Sequence, residues 1–519
     1  MRQSRKVPRA RQLPRLSRQL RWKQKRKARK AARSPVKKKP QKVRKPSTAS
    51  KRTPSSKAGT ISTASSSKWT RIDRPFPLPG YVKEAMERLD RAGHAAFIVG
   101  GSVRDFFLGR INKDHDIATS ASPEELCRIF PEAITVGKAF GVLKIPLAEG
   151  NGALFLEVAT FREDLEYEDH RHPKRVRFAG PDEDASRRDF TINAMYFDPK
   201  TSRLLDPTGG MADLKARTVR AIGTPSLRFK EDALRLLRAI RFTAGLDFML
   251  EENTSAAIRE KARLIKHVSA ERIRDELTLI LTGPHPEFAL ELMMKLDLLR
   301  FVLPELEALK GVRQSPLYHP EGDAWVHTLK AMQFLKVQNT SRSSTLAWGT
   351  LLHDIGKATA AERNNGENFN GHELDGAKLA LGITLRLKMS GEDSERIRML
   401  VLEHLKFKDV FAMRESTLQR FIRQPHFPEL LALHKADSAA SDGNLAFYEF
   451  CRSRLEANLK NQGHNFLPKL VDGNDLIQLG LKPGPEFTAI LRTIEDLALE
   501  HKIHTKEEAL EYVIRQFVT

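Results

Sequence analysis

Cysteine is nearly absent: Cys127 and Cys451 are the only two in 519 residues. That excludes a disulfide framework and points to a reducing compartment, with the cytoplasm as the expected location. No apolar run reaches membrane-spanning length and no segment has the pattern of a secretory signal, so a soluble protein without a membrane partner is expected. No internal repeat is visible. Acidic residues are missing from the first 70 positions, which hold 25 Lys and Arg, so the formal charge of +23 belongs to this tail. Beyond it 63 basic residues meet 65 acidic ones, a balance of −2. Rich in Ser, Pro and Thr and poor in large apolar residues, the tail is expected to be disordered over residues 1–74 and to contact RNA through phosphates without reading sequence. A solvated extension and an organellar targeting segment are the alternatives.

What is present begins with Phe97-Ile98-Val99-Gly100-Gly101-Ser102-Val103-Arg104-Asp105, an apolar run ending in two glycines and a serine, which reads as strand, tight turn and capped helix. Such a turn can cradle a phosphate, because the glycines let the backbone approach and Ser102 offers a hydroxyl. Asp114 and Asp116 stand two apart, so on a strand both carboxylates face one way, the arrangement that holds divalent cations against a triphosphate. Leu156–Arg162 reads as another strand carrying Glu157, a third carboxylate. In Arg187-Arg188-Asp189-Phe190-Thr191-Ile192-Asn193, the arginines can neutralise a triphosphate while Asp189 and Asn193 bond a ribose or orient the arginines.

From about residue 74 to Gly223 strand-like and helix-like segments are mixed, and thereafter the apolar spacing is helical almost to the end. In the first helical stretch Ala233, Leu236, Leu237, Ile240 and Ala244 form a buried stripe, leaving Glu231, Asp232, Arg235 and Arg238 on the other side. This exposed set is either a salt-bridged solvent face or, for Asp232 and Arg235 held three apart on a rigid helix, a hydrogen-bonding template for a nucleobase.

In their order, Val99–Asp105, Asp114-His115-Asp116, Glu157–Arg162, Arg187–Met195, Asp206-Pro207-Thr208-Gly209-Gly210 and Glu231-Asp232-Ala233-Leu234-Arg235 resemble the class II CCA-adding tRNA nucleotidyltransferases and the related bacterial poly(A) polymerases, over roughly residues 80–310. The resemblance implies an α+β nucleotidyltransferase head (residues 75–222) followed by an all-α neck and body (223–318). It implies two Mg²⁺ ions at Asp114 and Asp116 with help from Glu157, and a triphosphate bound by Gly100, Gly101, Ser102, Arg104 and Arg188. The Glu231-Asp232-x-x-Arg235 motif would select CTP and ATP without a nucleic-acid template, and the body would grip the tRNA acceptor end. Asp169 and Arg171 would lie in the flexible loop associated with adding the terminal A.

A second resemblance covers roughly 320–445. His327, His353-Asp354 and Asp437 are similar to the ligands of HD phosphohydrolases, with His372 and His404 as auxiliary ligands, and imply a helical HD domain (319–450) binding a divalent metal such as Mg²⁺, Mn²⁺ or Ni²⁺. A helical C-terminal tail (451–519) completes the chain. The nearest rival is a poly(A) polymerase, against which Val136–Val142 resembles the CCA-adding version. A rival of another class is a protein uridylyltransferase that removes its own mark with an HD domain.

Overall fold

The computed structural model describes residues 69–111, 114–135, 142–147, 155–167, 173–316, 319–336, 343–366, 368–462 and 469–518. Expectations that fall on the basic tail before Trp69, on residues 136–141 and on Asp169 and Arg171 lie outside these residues.

Ten strands build the head: β1 (Thr70–Arg71), β2 (Ala96–Val99), β3 (Asp116–Thr119), β4 (Ile134–Thr135), β5 (Val142–Pro146), β6 (Phe155–Thr160), β7 (Arg162–Tyr167), β8 (Pro173–Phe178), β9 (Tyr196–Asp198) and β10 (Arg203–Leu205). Eight of them form one sheet in the order β1-β10-β9-β2-β3-β6-β5-β4, and β7 and β8 make a separate antiparallel hairpin. Only β3 and β6 run parallel within the large sheet. The tail was expected to extend to residue 74, but Thr70 and Arg71 pair with β10 and Trp69 packs on Phe97 with ring centroids 4.9 Å apart. An aromatic followed by a β-branched residue is enough to seat an edge strand once a partner edge exists.

The two-residue period of the strands splits the head core in two. Ile98 and Ile117 join the helix Gly80–Arg91 through Val82, Ala85 and Leu89 on one face. Val99, Ala118, Phe161, Tyr196 and Leu205 close the other face against Ala185. Val99 and Asp116 are register partners, as are Asp116 and Glu157, so both carboxylates belong to the face of Val99 and Tyr196, where the apolar pattern stops. The sequence thus ends a hydrophobic strand face in charge.

Among the described residues after 223, the regular elements are helices, apart from the short parallel partner of residues 218–219 at Met249–Leu250 and an isolated bridge between Arg313 and Asp323. One continuous apolar cluster runs from the head through the neck helices into the helices of residues 324–440, whereas residues 470–513 close a smaller core of their own. No described helix is long and apolar enough to cross a membrane.

The expectation of a single neck helix carrying Glu231 to Arg235 is corrected. One helix, Pro225–Glu231, ends at Glu231; Asp232 is extended (φ −140, ψ 105), and a second helix begins at Arg235 and runs to Leu246. Asp232 makes the break, because its carboxylate accepts from the Leu234 amide at 3.1 Å, a local bond that competes with the helical ladder.

Candidate active site and second metal centre

Gly100 starts the helix Gly101–Phe107 with φ 71, a conformation that favours glycine, and a methyl group there would lie 3.6 Å from Asp116 Oδ2 and 3.8 Å from Arg188 Nη1. The turn therefore brings bare backbone between a carboxylate and a guanidinium. Ser102 does not cap this helix. Its buried hydroxyl donates to the main-chain oxygen of Asp114 at 2.8 Å, which ties the loop before β3 to the turn. Asp114 itself precedes the strand, which starts at Asp116, so the expected two-residue alternation along one strand does not set its direction.

Asp116 is pushed up to about 6 by burial first and then by Glu157, against the opposing pull of Arg188, with Asp114 adding to the rise. Lys144, opposite Glu157 across β5 and β6, binds its carboxylate at 2.8 Å. Among the described residues, every group of three or more potential ligands with donor atoms within 4.8 Å of one another lies in the helical half. The head trio is a looser set of negative charge, with Lys144 on Glu157 and Arg188 acting on Asp116, and its carboxylate oxygens suit a divalent ion brought in with a triphosphate.

Arg188 is aimed by partners that sequence reading missed. Asp184, fully buried, accepts from Arg188 Nη2 at 3.0 Å, from Arg187 Nη2 at 2.6 Å and from the Tyr196 hydroxyl at 2.7 Å. Although burial alone would raise it, Arg188 and Arg187 hold the Asp184 carboxyl down at about 2. Burial pushes the Tyr196 hydroxyl above the ordinary phenol range, so it stays a phenol and donates. One of three successive acids, Asp182-Glu183-Asp184, in the first turn of a helix reads as solvated in a sequence, and only the fold singles out Asp184 for burial.

A second chain of bonds joins head and neck. Arg104 donates from Nε to Asp105 at 2.9 Å and from Nη1 to Asn193 Oδ1 at 2.7 Å; Asn193 donates to Asp189 at 3.2 Å; Asp189 receives Arg238 at 2.7 Å. Burial opposes ionisation of Asp189, but Arg238 and its other donors hold it at about 2. Phe242 lies beneath Arg104, Arg238 and Arg241, with the guanidinium carbons 4.3 to 5.3 Å from its ring centre. Asp189 and Asn193, expected to meet a ribose or orient Arg187 and Arg188, hold Arg238 and Arg104 instead, while Arg187 and Arg188 go to Asp184.

At the neck break the four charged residues are not an exposed face. Arg235 is buried and donates to Glu231 at 2.8 Å and to the Arg187 carbonyl at 2.8 Å, while Asp232 is gripped by both terminal nitrogens of Arg272 at 2.8 and 3.2 Å. The side chains of Asp232 and Arg235 each have another partner, although the Arg235 amide donates to the Asp232 carbonyl at 3.1 Å.

The helical half brings its predicted ligands together. His327 Nε2 lies 3.0 Å from Asp437 Oδ1 and 3.2 Å from His353 Nε2, and Asp354 reaches His353 at 3.3 Å through one oxygen and His372 at 3.2 Å through the other. His372 and His404 approach at 3.2 Å between Nε2 atoms. The groups His327, His353, Asp437 and Asp354, His372, His404 can each hold an ion, with Asp354 between them. Two imidazole nitrogens facing one point are a poor contact without a cation and a good one with it, so the donors fit a two-metal centre of N and O ligands. A cavity of about 330 Å³ opens on it, lined on one side by Lys357, whose ammonium is 2.6 Å from Asp354 Oδ2, and on the other by His434 stacked on Phe407.

Residues 96–220 match the poly(A) polymerase head domain, 247–310 the family described as a probable RNA and SrmB-binding site of polymerase A, and 325–438 the HD domain. The chain is 32% identical over 430 residues to the CCA-adding enzyme of Lactococcus lactis subsp. cremoris strain MG1363, covering 82% of this chain and 93% of that enzyme. It belongs to the CCA-adding enzymes. To the CCA-adding enzyme of Geobacillus kaustophilus it is 43% identical over 224 residues, a match that spans 43% of this chain and 54% of the relative's length. The crystal structure of the Bacillus stearothermophilus CCA-adding enzyme in complex with CTP shares the fold, with a TM-score of 0.64 at 24% identity over 84% of this chain and 96% of that one. As a CCA-adding enzyme the chain is a nucleotidyltransferase, and membership in this family implies divalent-metal use.

Proposed function

We propose that the chain adds CCA, or completes it, at the 3′ acceptor end of tRNA from CTP and ATP without a nucleic-acid template, in the cytoplasm. The observation that carries the site assignment is Asp116, a carboxylate raised to about 6 at the end of a strand, with Glu157 beside it, Arg188 across from it and only the Gly100 backbone between.

In this reading Asp114 and Asp116, helped by Glu157, hold Mg²⁺. The bound cation supplies positive charge that makes the terminal 3′-hydroxyl more acidic and offsets the charge of the leaving pyrophosphate. Gly100, Gly101 and Ser102 let the triphosphate lie against the main chain. Arg188, kept charged and aimed by Asp184 and Tyr196, stabilises charge gathering on the phosphates. Arg104, held by Asp105 and Asn193 beside the Gly101 turn, binds the triphosphate there, and through Asn193 and Asp189 it is tied to Arg238 and the neck. Asp232 accepts from, and Arg235 donates to, the edge of cytosine or adenine, exchanging the Arg272 and Glu231 contacts for the base. Asp169 and Arg171, which follow β7 and precede β8 in the chain, serve addition of the final A.

The HD centre would hold one or two divalent ions, Mg²⁺, Mn²⁺ or Ni²⁺, through His327, His353, Asp354 and Asp437 with His372 and His404. Ions held there would activate water toward phosphoesters. The cavity wall with Lys357 supplies a cation for the ester's charge.

The deciding experiment offers purified protein a tRNA ending before CCA and an unstructured RNA, each with CTP, ATP or both. The expected result is two C residues from CTP alone, CCA from the mixture and little extension of the unstructured RNA. Long A-tracts on either RNA would overturn the reading in favour of a poly(A) polymerase.

A further inference from the structure

The imidazoles of the HD centre are not supported alike. His353, His372 and His404 each place Nδ1 against a main-chain carbonyl three residues earlier, those of Thr350, Phe369 and Val401, at 2.8, 2.9 and 2.7 Å. Each such bond makes Nδ1 the protonated nitrogen and leaves Nε2 as the donor facing the centre. His327 has a charged support instead. Its Nδ1 lies 2.6 Å from Glu321 Oε1, which also takes Nδ1 of His319 at 2.9 Å, and the Glu321 side chain is 1% exposed. The helix Ala324–Lys336 carries His327, but Glu321 comes from the segment before it. That segment is fixed by Asp323, which accepts from the amides of Gly311 at 2.6 Å and Val326 at 2.9 Å.

Resting on the reading of the HD residues as a metal centre, we propose that Glu321 is the positioning residue of the subsite formed by His327, His353 and Asp437, fixing the tautomer and orientation of His327 and making its Nε2 the most basic imidazole donor of the centre. A full carboxylate behind an imidazole polarises it more than a carbonyl dipole does, and such outer contacts carry a large part of metal affinity. The subsite of Asp354, His372 and His404 has only carbonyl supports, so it is the weaker of the two. His319 shares the carboxylate but belongs to neither of these two subsites.

The test measures Mn²⁺ binding to the full-length protein by titration calorimetry and equilibrium dialysis, for wild type, Glu321→Gln, Glu321→Asp and His319→Gln. The expected pattern is two classes of site in the wild type, with the tighter one weakened about 10–100-fold in Glu321→Gln. Glu321→Asp should recover part of the loss, and His319→Gln should bind as wild type. Addition of CCA should be unchanged throughout, and the melting temperature without metal should mark any variant that fails to fold; Glu321→Gln, being isosteric, keeps the packing. Wild-type Mn²⁺ affinity in Glu321→Gln would overturn the positioning role while leaving the metal centre standing. Equal loss in Glu321→Gln and His319→Gln would also overturn it, since the ion would then sit among His319, Glu321 and His327. No Mn²⁺ bound by the wild type would remove the metal-centre reading itself.

Discussion

Asp116 carries the most consequential charge in the head, because burial and its acidic neighbours force it up into the range where it titrates near neutral pH. Raised to about 6, it is protonated in the metal-free site at pH 5 and ionised at pH 7, so protons and the divalent ion compete for it. Nucleotide addition at low Mg²⁺ should therefore fall as pH drops through about 6, and raising Mg²⁺ should shift that fall to lower pH. A profile indifferent to Mg²⁺ would place the titrating group elsewhere. Asp116→Ala should abolish addition of both C and A while tRNA binding, assigned here to the helical body, stays largely intact; near-normal addition would sink the assignment. Asp184 has the opposite sign. Held at about 2 in the folded chain, it contributes stability that is present above its unfolded value near 4 and is lost as pH falls from there toward 2. Asp184→Asn leaves the buried ends of Arg187 and Arg188 without their counter-charge, a cost of about 3–5 kcal/mol. It should lower the melting temperature and the rate together. Asp116 was legible in the sequence because a motif and a strand end announced it. Asp184 was not, since its burial comes from Arg188 and Tyr196 closing over it.

The neck shows how far helical periodicity reaches. The stripe Ala233, Leu236, Leu237, Ile240 and Ala244 is buried as its spacing requires, and strands stand at the apolar run before Gly100 and around Glu157, as expected. The break at Asp232 was invisible, because its neighbours are good helix formers and the features that settle it, the Leu234 amide and the Arg272 fork from 40 residues on, are an Asx-type turn and a tertiary contact. That geometry changes how templating must be tested. Arg235 is buried and bonded to main chain, so Arg235→Ala should unsettle the head–neck joint as well as selection. Asp232→Asn keeps the shape, removes the charge and turns one of the two acceptor oxygens that Arg272 uses into an NH2 donor. It should raise kcat/KM for UTP or GTP relative to CTP and ATP on a tRNA lacking CCA, since a mismatched edge leaves a buried group unpaired at about 1–3 kcal/mol. If all four nucleotides lost rate equally, Asp232 would be a strut for Arg272 and nothing more.

Across the whole molecule the two centres share one continuous apolar cluster but no ligand, which separates their chemistry even though it joins their stability. His353→Ala and Asp354→Ala should remove Mn²⁺ binding and any metal-dependent phosphoesterase activity, while CCA addition stays measurable. Loss of addition in a folded variant would mean that the chain had been divided wrongly. The basic tail belongs to this scale too, because its effect is a sum of charges. Deletion should stop at residue 66, not 70, so that Trp69 and the edge strand Thr70–Arg71 remain. It then removes 24 of the 88 Lys and Arg, and the rest of the chain keeps a charge close to zero. A phosphate that no longer meets a Lys or Arg keeps its condensed counterion, so affinity for tRNA should drop and the plot of log affinity against log salt should become shallower. The turnover rate at saturating tRNA should not change, since no residue of the head is touched. An unchanged affinity and salt slope would make the tail a solvated extension with respect to RNA, and would leave the helical body as the source of the grip.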